Sequence, residues 1–242
     1  MRKLNLELNA ADIYAGQYLI LDNISLKLQE EEIIYLCGSP NSGMQSLLRT
    51  LWTEFPLRKG HLKILDSEPK SLDADSLAAL RQRFGIVSQT LPLLDNLSIE
   101  ENLLFILEYT NEFNLQTRIE RTNEVISLFG LEQWRQQHPA QLSHFELIKA
   151  QIARALLNHP SILFLDDPLL LLKDSQREQL MYCIHNQLNQ IVSSILIGSS
   201  VYDYLERYPA PTWQIQEGRL NRLDLELTKQ SPSALDIDSG HV

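Results

Sequence analysis

The sequence predicts an α/β fold built on a parallel core sheet, with a helical insertion in its middle. Three observations predict it. Short apolar runs bounded by turn residues alternate with longer stretches of helical spacing. The longest helical stretch, residues 98 to 157, lies between strand-like runs rather than at one end. With 242 residues, 44% of them hydrophobic and 21% charged, the chain can bury a large core and is too apolar for a disordered one.

Taken in order, Leu4 to Leu8 and Leu19 to Leu28 alternate as strands, with turn material at Asn9-Ala10-Ala11-Asp12 and a charged break at Glu30-Glu31-Glu32. Ile33-Ile34-Tyr35-Leu36-Cys37 is a short buried strand ending in Gly38, and Leu47, Leu48 and Leu51 then fall at helical spacing over residues 45 to 53. A block from His61 to Gln89 holds a polar helical stretch and the strand Phe84-Gly85-Ile86-Val87. Residues 98 to 157 read as helical, interrupted near Gly130 and at His138-Pro139. Ser161 to Asp166 is a buried strand between Pro160 and Pro168, followed by a helix over 174 to 190 and the strand Ser194 to Ile197. The pair Thr212 to Ile215 and Arg219 to Leu223 turns at Glu217-Gly218. Residues 1–228 therefore read as one domain, with a helical subdomain at about 90–157 and a polar tail at 229–242.

Composition excludes several classes. Net charge is 21 − 31 = −10, which opposes binding to nucleic acid. No run approaches the 18 or so apolar residues of a membrane span. The opening residues alternate, so no secretory signal is expected. Cys37 and Cys183 have neither metal-ligand spacing nor a disulfide framework, and a reducing cytosol is expected. Only 9 residues are glycine, well under the typical ~7%, so any glycine-rich phosphate loops have lost some of theirs.

One loop keeps the outline of a phosphate cradle. After the strand ending at Cys37 the chain reads Gly38-Ser39-Pro40-Asn41-Ser42-Gly43-Met44-Gln45-Ser46 and enters a helix. A P-loop wraps phosphate with main-chain N–H groups, reaches the β/γ-phosphates with a lysine and holds Mg²⁺ with a hydroxyl. Gly38 and Gly43 have the required spacing, but Met44 stands at the lysine position and Gln45 at the hydroxyl position.

The blocks that follow carry a family resemblance. Phe84-Gly85-Ile86-Val87-Ser88-Gln89 resembles the Q-loop of ABC-type ATPases, and Leu97-Ser98-Ile99-Glu100-Glu101-Asn102-Leu103 the segment after it. Leu142-Ser143, then Ile152-Ala153-Arg154-Ala155-Leu156-Leu157, then Leu163-Phe164-Leu165-Asp166-Asp167-Pro168 resembles the run from signature helix to Walker B. Order and spacing match over residues 3 to 223, as in an ABC nucleotide-binding domain. Within the family, Leu47 to Leu51 and Leu80 to Gln89 look most like FtsE, the cell-division ATPase paired with the membrane protein FtsX. The resemblance implies a P-loop NTPase-type fold, with an antiparallel β subdomain at the N-terminus and a helical subdomain.

It also implies a site. Ser39, Asn41, Ser42, Met44, Gln45 and Ser46 join the two loop glycines around ATP, with Gln89, Asp166 and Ser143. Tyr14 lies where the family stacks adenine, with Tyr18 as its competitor. Ser46 reads either as a phosphate donor or as a first-turn helix serine, and Asp166 either as a Mg²⁺ ligand or as a carboxylate that orders the loop above it. Asp167 stands at the general-base glutamate and Ser200 at the switch histidine. His144-Phe145-Glu146 replaces the glycine-rich end of the signature, and Leu169 to Leu172 fills the D-loop as core or as a protein contact.

These departures have physical consequences. A missing lysine removes a charge-assisted hydrogen bond of about 1.5–3 kcal/mol, a ~10- to 100-fold loss in affinity. Gln45 fits poorly into the tight octahedron of Mg²⁺. Asp167 is one methylene short, and a water misplaced by about 1 Å reacts ~10²-fold more slowly. The expectation is a degenerate, FtsE-like ATP-binding subunit with weak or absent ATP binding, doubtful Mg²⁺ and hydrolysis lost. It would be cytoplasmic and peripheral on the inner face of the cell membrane. Residues 90–105 would dock on an FtsX-like integral membrane permease, within a homo- or heterodimer. The alternative is a weakly active ATPase subunit of a transporter-type complex.

Overall fold

The computed structural model describes residues 2–109 and 114–223. The expected tail at 229–242, and the domain limit at 228, lie outside the described residues.

Nine strands form two sheets among the described residues. β1 (Leu4–Ala15), β2 (Tyr18–Gln29) and β4 (Lys59–Ile64) make an antiparallel sheet in the order β2-β1-β4. β3 (Glu32–Gly38), β5 (Phe84–Val87), β6 (Ile162–Asp166), β7 (Ser194–Ser199), β8 (Thr212–Gln216) and β9 (Arg219–Leu223) make the core sheet, ordered β5-β6-β7-β3-β8-β9. All neighbours there are parallel except β8 and β9, which form the hairpin turned at Glu217-Gly218.

One local reading is corrected, and one strand, β4, is added. Asn9 to Asp12 is a bulge inside one continuous strand rather than a turn. Ala10 takes φ 45°, and the register with β2 slips between Leu8 and Ala11. Gly60 comes so close on β4 that a Cβ there would lie 2.5 Å from Ala11 Cα. Turn-type residues break a ladder locally, and here pairing on both sides restores it. β4 itself has a weak signal, since Leu62 and Ile64 are its buried side chains while Lys59, His61 and Lys63 face water.

The helices follow their spacing: α1 (Met44–Leu51), α2 (Ala74–Gln82), α3 (Ile99–Tyr109), α4 (Leu115–Leu128), α5 (His144–Leu156) and α6 (Asp174–Asn186). Asp73 caps α2 by accepting from Ser76 N–H at 2.8 Å, and Asn114 caps α4 through Thr117 N–H at 2.9 Å. None of the described helices is long and apolar enough to cross a membrane.

Strand alternation divides the core in two. Tyr35, Cys37, Leu163, Leu165, Ile195 and Ile197 face α3 to α6. Ile34, Leu36, Ile162, Phe164 and Leu196 face α1 and the antiparallel sheet. Strands buried on both faces read as continuous apolar runs, which is why β3, β6 and β7 were legible. Their carboxyl ends bring Gly38, Ser88, Asp166 and Ser199 to one edge of the sheet, where open α/β sheets form ligand crevices.

Candidate functional site

A cleft of about 370 Å³ lies at that edge, roofed by the loop between β3 and α1. Gly43 makes the loop possible: its φ is 95°, and a Cβ there would lie 2.4 Å from Ile20 Cγ2. Asn41 also adopts a left-handed backbone, φ 67°. Gly38 is needed for space, because a Cβ would lie 2.3 Å from Ser42 Oγ. α1 then starts without a side-chain cap and without an acidic residue in its first turn. Its open N–H groups and the helix dipole favour an anion.

Ser39, Asn41, Ser42, Gly43, Met44, Gln45, Ser46, Gln89, Asp166, Asp167 and Ser200 all line the cleft. Gly38 closes the strand beneath it. Two further expected residues do not line it. Tyr14 sits on β1 with the Arg58 guanidinium 4.8 Å from its ring centroid, while Ala15 and Ile20 form that edge of the cleft. Ser143 is exposed and caps α5, accepting from Glu146 N–H at 3.5 Å. Phe145, two residues on, packs against the helical core with Lys149 Nζ 5.1 Å from its ring centroid.

The side chains that differ from the family pattern have settled into other roles. Met44 is 8% exposed and belongs to the core cluster beneath the loop. Its sulfur lies 3.2 Å from where a Gly198 Cβ would be, so a flexible apolar chain fills this space. Asp167 takes a left-handed backbone, φ 50°, held by its own N–H donating to the Gly198 carbonyl at 2.9 Å. Ser200 clamps its carboxylate twice: N–H donates to Oδ1 at 3.0 Å and Oγ–H to Oδ2 at 2.7 Å. Leu169 and Leu172 are core, whereas Leu171 is exposed.

Asp166, at the end of β6, receives Ser88 Oγ–H at 2.8 Å and the Gln45 side-chain amide at 3.2 Å. Ser88 is the functional-site residue that sequence reasoning missed. No pattern marks a serine after an apolar strand, and only the β5–β6 pairing brings it to Asp166.

The residues present fit a phosphate in part. The uncapped helix, the glycine-cleared loop and Ser42 Oγ, buried without a hydrogen-bond partner, all offer donors. They do not fit Mg²⁺. Gln45 turns its amide NH₂, which has no lone pair for a cation, toward the carboxylate a metal would need, and its carbonyl oxygen could serve a metal only after that bond is broken.

Over residues 21–170, more than half of its length, the sequence matches the family described as ABC transporter. The chain belongs to that family. This ABC chain is 35% identical over 185 residues to the methionine import ATP-binding protein MetN 1 of Acinetobacter baylyi, covering 76% of itself and 51% of that protein. It is 31% identical over 170 residues to the macrolide export ATP-binding/permease protein MacB of Escherichia coli K12, covering 70% of itself and 26% of MacB. The chain thus spans about half of the first of these curated relatives and about a quarter of the second. Its fold is shared with the ATP-binding cassette MJ0796, solved as a dimer in a post-hydrolysis state bound to ADP and Pi, at TM-score 0.80 and 24% identity over 91% of this chain and 98% of that one. cbiO1 of Clostridium perfringens, part of the ABC transporter complex cbiONQ, superposes at TM-score 0.80 and 18% identity over 90% and 87%.

Proposed function

We propose that this ABC chain is a degenerate ATP-binding subunit, FtsE-like in its sequence blocks, that serves a membrane permease as a structural or regulatory partner. The observation that carries this reading is the Asp167–Ser200 clamp. A general base needs a free oxygen aimed at the attacking water. Each oxygen of Asp167 accepts one bond from Ser200, which holds the carboxylate turned onto that loop instead of free to swing toward a water, and Met44 supplies no charge to the β/γ-phosphates. Nucleotide is bound weakly by the main chain of the loop, with hydrolysis lost.

The partner is a permease of the FtsX kind, and the subunit lies peripherally on the cytoplasmic face of its membrane. The relative MacB, whose name joins ATP-binding and permease functions, supports a permease as partner. Pairing with a second cassette, identical or different, is supported by the dimer of MJ0796. In such a dimer each nucleotide lies between one subunit's phosphate loop and the other's signature. This chain has altered both, so a partner with intact motifs would still lack a complete site.

Met44→Lys with Gln45→Ser tests the reading. The double variant is expected to gain nucleotide affinity while phosphate release stays near background, because positioning groups act as a unit. Release near ~1 s⁻¹, at the low end of ordinary enzymes, would show that the remaining groups are competent and overturn the proposal.

A further inference from the structure

We infer that Gln45 and Ser88 take the place of a divalent cation at Asp166, so that the cleft holds a nucleotide free of metal in preference to its Mg²⁺ complex. This rests on the nucleotide-binding reading above and adds the ionic form of the ligand.

Asp166 is 7% exposed, and a carboxylate so buried requires charge or hydrogen bonds to offset its lost hydration. The chain supplies these itself. Ser88 Oγ–H at 2.8 Å and Gln45 Nε2–H at 3.2 Å converge on the same oxygen, Oδ2. Two donors use the two lone pairs of that oxygen. Ser88 is itself only 1% exposed, and it is held in turn: its hydroxyl meets Thr90 Oγ1 at 3.1 Å and accepts from Thr90 N–H at 3.3 Å.

A cation entering at Oδ2 would have to displace the Ser88 proton and turn the Gln45 amide over to offer its carbonyl. Both bonds to Asp166 would be lost before an octahedral shell could form. The phosphate side of the cleft has no such conflict. The first main-chain bond of α1 runs from Leu47 N–H to the Gly43 carbonyl at 2.9 Å, so the N–H groups ahead of it have no intrahelical acceptor. Those donors need no metal and interact more strongly with the more highly charged, metal-free phosphate chain. Gln45 and Ser88 are therefore specificity-determining residues, read by metal dependence rather than by turnover.

The test is a calorimetric titration of ADP into the purified chain, in excess EDTA and in excess MgCl₂. The unaltered chain is expected to bind more tightly in EDTA than in MgCl₂, equal affinity in the two buffers overturning the preference, whereas Gln45→Ser should bind about tenfold or more tightly in MgCl₂ than in EDTA. Ser88→Ala leaves α1 untouched and should move in the same direction by less. With ADP present, its melting temperature should rise on adding MgCl₂ while that of the unaltered chain does not. A tenfold gain with MgCl₂ in the unaltered chain overturns the inference and leaves the nucleotide-binding reading standing. The same metal response in all three proteins overturns the roles of Gln45 and Ser88. Absence of ADP binding in both buffers overturns the nucleotide-binding reading and this inference together.

Discussion

In the cleft, the main chain carries the geometry: two close-packed glycines, a left-handed Asn41 and an uncapped helix shape the space while the side chains have taken up other contacts. In the segment from Ser88 to Tyr109, side chains carry it. Asn102, 1% exposed, accepts from Leu94 N–H at 2.7 Å, and its amide reaches the carbonyls of Leu94, Leu97 and Ser98 at 3.0, 3.1 and 2.9 Å. Ser98 and Glu101 form a reciprocal cap on α3, with bonds of 2.7 and 3.2 Å. Arg154 crosses from α5 to donate to the carbonyls of Leu91 and Pro92. The difference teaches that a phosphate loop can keep its shape after its reactive side chains change, because backbone conformation depends on glycine rather than on lysine or hydroxyl. The loop ahead of α3 adds to a few main-chain bonds, such as Leu91 N–H to the Ser88 carbonyl at 3.1 Å, a set of polar side chains that tie it to the helix.

The largest expected effect breaks the second region. Asn102→Ala removes the four bonds of the Asn102 side chain and leaves the Leu94 N–H and the Leu97 carbonyl without this partner, so unfolding free energy should fall by about 3 kcal/mol in urea denaturation. A loss below about 1 kcal/mol would show that the loop is held by other means.

Next comes the first region. Gly43→Ala forces a side chain onto a φ of 95° and against Ile20, with an expected cost of about 2 kcal/mol and a matching loss of ADP affinity. Unchanged stability together with unchanged ADP affinity would mean that the loop does not require glycine. The comparison would then fail.

The smallest expected change in stability tests the expectation that residues 90–105 dock on the proposed permease. Leu94 is 40% exposed whereas its neighbour Leu93 is 3% exposed. Leu94→Glu should therefore alter stability by less than about 0.5 kcal/mol while abolishing co-purification with the membrane permease. An unfolded Leu94→Glu variant would assign the residue to the core, and retained co-purification would place docking elsewhere.

By itself the sequence determined the parallel-sheet class, the strands at β3, β6 and β7, and the loop from Gly38 to Ser46. All of these depend on local rules: continuous apolar runs for strands buried on both faces, and glycine spacing for a phosphate-sized turn. The β8–β9 hairpin was legible for the same reason, its Glu217-Gly218 turn lying between two alternating runs. Only the tertiary structure decided that Asn9 to Asp12 continues a strand, because pairing with β2 and β4 outweighs the turn preference of those residues. It alone decided that Arg58 stacks on Tyr14, that Met44 packs beside Gly198, and that Ser88 and Gln45 meet on Asp166. Those meetings join residues far apart in the chain. Strand order in the sheet creates them, and no local periodicity encodes which strand ends will become neighbours.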